Sequence, residues 1–148
     1  MMNMHTMQRD IYLSRHGQSE FNVTGQIGGD SSITETGQHY AIKLSEFMNA
    51  EIPFDKPLAL WTSTLRRTVQ TATPIKRAIH KWRVLDEIDA GECDGLTYKE
   101  IAERNPTLYT NREKDKLRCR YPGGESYLDL IVRLEPIFVE IERQQVLT

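Results

Sequence analysis

Arg15-His16-Gly17 closes the short apolar run Ile11-Tyr12-Leu13, Arg66 follows Thr62-Ser63 after the run Leu58 to Trp61, and Glu87 follows the run Trp82 to Leu85. Each charged group stands where an apolar run, read as a buried strand, opens into a loop. Together they form a set that can move a phosphoryl group. Arginines hold phosphate oxygens bidentately and neutralise charge, a neutral imidazole attacks phosphorus, and an acid protonates the leaving oxygen. Such a scheme calls for no metal or cofactor, and none is expected. Cys93 and Cys119 have no CxxC spacing, and none of the histidines pairs with them in a zinc pattern. Gly28-Gly29-Asp30 is weak as a phosphate loop, since neither GxxxxGK[ST] nor GxGxxG occurs.

The elements that must carry these groups follow from periodicity. Thr34 is a plausible N-cap for a helix with Tyr40, Ala41, Leu44, Phe47 and Met48 on its apolar face, ended by Pro53. Thr62-Ser63 supplies the cap for a second helix with Leu65, Val69 and Ala72 inward, which Pro74 should kink or restart. Helical stretches near 97–105 and 107–117 are separated by Pro106. After the turn Tyr121-Pro122-Gly123-Gly124 comes the strongest periodic segment, with Tyr127, Leu130, Ile131, Leu134, Phe138 and Ile141 on one face and a bend at Pro136. Val146-Leu147-Thr148 reads as the start of another strand. Strands alternating with helices predict an α/β layered domain with a mainly parallel sheet, whose chemistry gathers at the carboxyl ends of the strands.

A chain of 148 residues with 39% hydrophobic and 27% charged residues is expected to form a single packed domain. The formal net charge of -2 gives no global attraction to nucleic acid or an anionic membrane. Any anion site must therefore come from a local cluster, and the basic stretch 111–120, NREKDKLRCR, is the one available. No nucleic-acid-binding pattern is present, and no window approaches the roughly 20 apolar residues of a membrane span. The cysteine pattern reads as a reducing cytoplasm, and the start lacks the apolar stretch of a signal peptide, so a soluble, unprocessed chain is expected, with residues 1–9 as a flexible N-terminus.

The segments LSRHGQSEFNVTGQIGGDSSITETG, WTSTLRRTVQTA, LDEIDAGECDGLTYKEI and RCRYPGGESYLDLIVRLEP, in that order, resemble the histidine phosphatase, or phosphoglycerate mutase-like, superfamily. Within it they are most similar to the fructose-2,6-bisphosphatase half of the bifunctional phosphofructokinase-2/fructose-2,6-bisphosphatase enzymes. The resemblance runs from about Ile11 to the C-terminus and implies a three-layer α/β/α fold. It implies that His16 is the phosphohistidine nucleophile, that Arg15 and Arg66 clamp phosphate, and that Asn22 donates to the transferred group. Gly28 would lie in the loop that closes over it, and Glu87 would protonate the sugar's 2-oxygen and later activate water. For Glu87 to hold a proton near neutral pH, burial or nearby phosphate charge must favour its neutral form. Tyr98, Arg112, Lys116, Arg120 and Tyr127 would hold the second phosphate and the sugar, while Lys114 and Arg118 fit a solvated helix face equally well. The implied ligands are fructose 2,6-bisphosphate and fructose 6-phosphate, with neither nucleic acid nor membrane as a partner.

The family carries a second active-site histidine on the strand after its long C-terminal helix, a central strand beside the one that bears RHG. Here that strand begins at Val146 and the sequence stops at Thr148, and His5, His39 and His80 lie elsewhere. The expectation is therefore one truncated domain over 1–148 with an incomplete sheet. Its unpaired backbone groups would each cost roughly 1–3 kcal/mol where buried. Such a chain would be marginally stable or rearranged, or would borrow a strand from a homodimer or another strand-donating partner. No Walker A sequence precedes RHG, so only phosphatase chemistry is in question. Loss of one transition-state donor lowers turnover about 10² to 10³ fold, so that His16 phosphorylation would survive weakly while turnover collapses. Two other functions fit the residues: a non-catalytic protein of this fold that binds phosphosugars or protein partners, and a different phosphohistidine mutase or broad phosphatase. RCRYPGGESY and EIDAGECDG favour the bisphosphatase over the last.

Overall fold

A computed structural model describes residues 10–143. Its helices are α1 (Glu20–Thr24), α2 (Glu35–Glu51), α3 (Arg66–Ala72), α4 (Tyr98–Arg104), α5 (Pro106–Lys114) and α6 (Tyr127–Arg143), and its strands are β1 (Leu60–Thr62) and β2 (Ile79–Lys81). Short 3-10 turns occupy Arg83–Leu85 and Gly91–Cys93. β1 and β2 pair in parallel with Leu60 opposite Ile79 and Thr62 opposite Lys81, and α3 makes the crossover. This is the predicted α/β arrangement with a parallel sheet, and the sheet is incomplete among the described residues.

Local chemistry explains most helix boundaries. Thr34 Oγ1 accepts from Gly37 N, and the helix it caps ends two residues before Pro53. Thr97 and Glu100 form a reciprocal capping box on α4. Pro106 opens α5 at a first-turn position that needs no N–H, with Asn105 as its cap. Pro136 is accommodated inside α6.

Several expectations are corrected. Ile11-Tyr12-Leu13 is not a strand, and Leu13 is 94% exposed. A strand is held by ladder bonds, and this segment has no ladder partner among the described residues. It and β1 instead line a shared cleft of about 310 Å³. The third strand lies at Ile79–Lys81, not Trp82–Leu85. β2 is a largely exposed edge strand and so does not read as apolar, whereas Trp82 N donates the last bond to Thr62 O before the chain turns. α3 starts at Arg66 with Leu65 as its N-cap, so Arg67, Thr71 and Ala72 face inward in place of Leu65 and Val69. Pro74 follows the end of that helix. On α2 the buried face is Gly37, Ala41, Ser45 and Met48, leaving Tyr40 and Phe47 exposed. On α6 Ile137 is buried, while Tyr127, Ile131 and Phe138 are exposed. The expected strand from Val146 and the N-terminal nine residues with His5 lie outside the described residues.

Two apolar clusters brace the molecule. Ala90, Cys93, Ile101, Leu108 and Tyr121 join α4, α5 and the loop after Glu87. Met48, Ile52 and Ile75 join α2 to the end of the α3 segment and to Leu60 of β1. No helix among the described residues is long and apolar enough to cross a membrane.

Candidate active site

Gly17 locks the histidine's backbone in place. Its N–H donates to Thr71 Oγ1 at 2.9 Å, and a Cβ there would stand 2.5 Å from the carbonyl oxygen of Gly37, so the loop can approach α2 only as glycine. His16, half-buried, brings Nδ1 to 2.7 Å from the Gly17 carbonyl oxygen. A carbonyl can only accept, so this bond requires the proton on Nδ1 and leaves the Nε2 lone pair free. Burial holds the imidazole pKa below its ordinary value, reinforced by the positive charges of Arg67 and Arg15 and opposed by the Gly17 bond and Glu87. The ring is thus favoured in the neutral, nucleophilic form.

Arg15, His16, Arg67 and Glu87 line one cavity of about 240 Å³. Arg67, on the first turn of α3, is only 3% exposed, and it donates to Gly29 O at 2.8 Å and to Glu87 Oε2 at 2.5 Å. Arg66, the arginine expected from sequence, points elsewhere. It is 66% exposed and pairs with Asp30 through its Nε at 3.2 Å. Successive helical residues differ in direction by about 100°, so only one of the doublet can face His16. The doublet itself was the available signal for Arg67.

Glu87 is about half exposed, with its Oε2 paired to the buried Arg67 guanidinium. Asn22 is exposed, and its Oδ1 accepts from Ser19 N, which leaves its amide hydrogens available as donors. Gly28, at φ +65, lines a larger cavity of about 420 Å³ that shares Arg67 and Glu87 with the His16 cavity. A Cβ at Gly28 would overlap the Asp94 carboxylate, whose Oδ1 accepts from Gly29 N. Ile27 exchanges backbone bonds with Leu96 and Gly95, so this glycine loop is stitched to the segment that leads into α4.

Tyr98, Arg112, Lys116 and Tyr127 meet in a separate cavity of about 210 Å³, together with Tyr109 and Tyr121. Arg112 is buried, donates to Cys119 O at 2.5 Å, and lies 3.6 Å from the centroid of the Tyr121 ring. Burial pushes the Tyr121 hydroxyl up to about 12, against the opposing charge of Arg112. Arg120 is not in this cavity, because its guanidinium pairs with Asp129 of α6 at 2.5 Å. Arg118 pairs with Asp115 in solvent, as a solvated face requires. His39 of α2 and His80 of β2 are exposed and line none of these cavities. Sequence reasoning missed Arg67, Tyr109, Tyr121 and Arg133.

A cavity with a neutral imidazole, two arginines and a carboxylate, beside a second one of cations and aromatic rings, suits an anionic, polyhydroxylated ligand. Comparison with known proteins agrees. The chain is 51% identical over 146 residues to the 6-phosphofructo-2-kinase/fructose-2,6-bisphosphatase of Arabidopsis thaliana, covering 98% of this chain and 20% of that one. It is 47% identical over 145 residues to the human 6-phosphofructo-2-kinase/fructose-2,6-bisphosphatase 1, covering 98% and 30%. The chain therefore spans less than a third of the length of these curated relatives. Among solved structures, the alpha-ribazole phosphatase of Shigella flexneri shares the fold with a TM-score of 0.80 at 21% identity, over 90% of this chain and 67% of that one. A mycobacterial glucosyl-3-phosphoglycerate phosphatase gives a TM-score of 0.75 at 26% identity, over 88% and 65%. The sequence pattern of the histidine phosphatase superfamily (branch 1) matches residues 11–146, and with the RHG loop, the buried arginine and the facing carboxylate in register, the chain belongs to that superfamily.

Proposed function

We propose that this chain is a single histidine phosphatase domain whose chemistry is hydrolysis of the 2-phosphate of fructose 2,6-bisphosphate through a phosphohistidine on His16. The observation that carries the reading is the convergence of His16, Arg67 and Glu87 on one cavity with Nδ1 of His16 tied to a carbonyl. The name shared by the relatives supplies the substrate.

In the first step the Nε2 lone pair attacks phosphorus, the bond from phosphorus to the sugar's 2-oxygen breaks, and Glu87 gives that oxygen its proton. Fructose 6-phosphate leaves. Arg15 and Arg67 neutralise the charge on the transferred oxygens, and an Asn22 amide hydrogen donates to them. The phosphate takes the place of Glu87 as partner to Arg67, so the carboxyl then faces anionic oxygens instead of a guanidinium. In the second step Glu87 takes a proton from water, the water oxygen bonds to phosphorus, and the P–N bond breaks to restore the imidazole. Gly28 belongs to the loop over the transferred group. Arg112 and Lys116 hold the 6-phosphate while Tyr98 and Tyr127 bracket the sugar. Arg66 and Arg120 are outside this assignment, because each is paired with a carboxylate, Asp30 and Asp129 respectively. The free Cys93 and Cys119 suit a reducing cytoplasm.

The test is to mix the chain with fructose 2,6-bisphosphate labelled at the 2-phosphate, quench in alkali, and follow labelled protein and free phosphate. Label on His16 followed by release of phosphate is the expected result. Binding without label or release, from folded protein, overturns the enzymatic reading in favour of a phosphosugar-binding protein. Transfer of label to a second phosphosugar without net hydrolysis indicates a mutase. Mass measurement of the folded chain before the quench distinguishes a monomer from a dimer, strand-exchanged or not.

A further inference from the structure

Glu87 occupies an irregular segment between two 3-10 turns, where no ladder or helix fixes its position. A carboxyl that must meet a leaving oxygen to within about an ångström needs an anchor, since a misplacement of that size costs about 10² fold in rate. Arg67 holds the carboxylate. Something else must hold the backbone beneath it.

Arg133 of α6 does so through three backbone carbonyls, and its remaining donors go to Glu125. Its Nε and Nη2 reach the two carboxylate oxygens of Glu125 at 2.8 Å each, a bidentate pair that sets the plane of the guanidinium. Nη1 donates to the carbonyl oxygens of Val84 at 2.6 Å and Asp86 at 3.1 Å, and Nη2 also reaches the Glu87 carbonyl at 3.4 Å. Glu125 grips the other side, accepting from Asp89 N at 3.0 Å through Oε2 and donating its own N–H to Asp89 O at 2.8 Å. Arg133 and Glu125 therefore clasp the chain immediately before and after the acid. Both side chains are about one-fifth exposed, so the clasp is shielded from competing water.

We infer that Arg133, locked in plane by Glu125, is a positioning residue that aims Glu87 at the leaving oxygen of the phosphoryl transfer. The inference rests on the phosphatase reading for its consequence and on the hydrogen-bond geometry for its substance. Lysine cannot replace this arginine, because an ammonium has three donors and no fixed plane. A staple between α6 and the loop that merely stabilises the fold would affect all chemistry at His16 alike. A clasp that aims the acid affects only reactions whose leaving group needs a proton.

The test uses the 148-residue chain and its Arg133→Lys variant, with His16 phosphorylation followed from two donors. Fructose 2,6-bisphosphate has a poor alkoxide leaving group, whereas 2,4-dinitrophenyl phosphate expels a phenolate that needs no acid. The variant is expected to lose about 10² fold with the sugar ester and to stay within about threefold with the dinitrophenyl ester, matching Glu87→Gln. Equal losses with both esters overturn the inference. Independently of turnover, the NMR signal of the Arg67 guanidinium N–H bonded to Glu87 is expected to move in Arg133→Lys toward its position in Glu87→Gln. An unchanged signal in folded variant overturns the inference. If neither ester labels the unaltered chain, the phosphatase reading fails on its own and the Arg67 signal still decides whether Arg133 positions Glu87. If circular dichroism finds Arg133→Lys unfolded, Glu125→Gln, which leaves the guanidinium one acceptor oxygen instead of two, undergoes the same measurements.

Discussion

Replacing each member of the Arg66-Arg67 doublet by alanine separates the two arginines by consequence. Arg67 is 3% exposed and makes bonds to Gly29 O and to the Glu87 carboxylate. Its loss strands a carbonyl, worth about 1 kcal/mol, and breaks a charge-assisted bond worth about 1.5–3 kcal/mol if fully shielded. Because Glu87 is 51% exposed and water can solvate it, the second figure is reduced, and a total near 2 kcal/mol is expected. The catalytic loss is larger, about 10² to 10³ fold in turnover, since a cation that neutralises the transferred oxygens is gone. Arg66 and Asp30 are 66% and 44% exposed, so Arg66→Ala should cost about 0–1 kcal/mol and leave turnover within about fivefold. Urea unfolding gives the first quantity, and release of labelled phosphate under saturating substrate gives the second. Equal losses for the two variants, or a larger loss for Arg66→Ala, refute the assignment of Arg67 to phosphate.

Because burial lowers the His16 pKa in the fold, the acid limb of phosphorylation rate against pH should fall below the ordinary histidine value of 6.5, read from initial labelling rates between pH 4.5 and 8. The sign for stability follows: the unfolded chain binds the proton more tightly, so His16 should reduce stability as pH drops below 6.5, and His16→Gln should flatten that part of a urea titration. Gly17→Ala drives a methyl against the Gly37 carbonyl and should destabilise by about 1–3 kcal/mol while abolishing labelling, as measured by thermal unfolding and alkali-quenched assay. Tyr121→Phe keeps the ring under Arg112 and should leave fructose 6-phosphate affinity within about twofold. Tyr121→Leu removes that contact and should weaken affinity about threefold or more by calorimetry.

Reading the sequence located the site by chain position more reliably than by direction. Thr34, Thr97 and Pro106 act within one helical turn, so their roles at helix starts are legible from neighbours alone. His16 and Glu87 were also legible, since each follows an apolar run at a loop. The strands were less so. Ile79-His80-Lys81 pairs with β1 at an exposed edge, and an edge strand carries little of the apolar signal by which a buried one is found. Ile11-Tyr12-Leu13 carries that signal and has no ladder partner among the described residues.

By itself, then, the sequence determined the superfamily, the candidate roles of His16 and Glu87 and the cap at Thr34, because each depends on residue identity or on contacts a few residues long. The tertiary structure decided which of two adjacent arginines enters the site, because a helix turns neighbours about 100° apart and only the packing of α3 says which side faces His16. It likewise decided that Arg133, 46 residues beyond Glu87, holds the acid's backbone, and that Tyr121 supports Arg112. Contacts between groups distant in sequence arise from how helices and loops stack, and no local spacing records them.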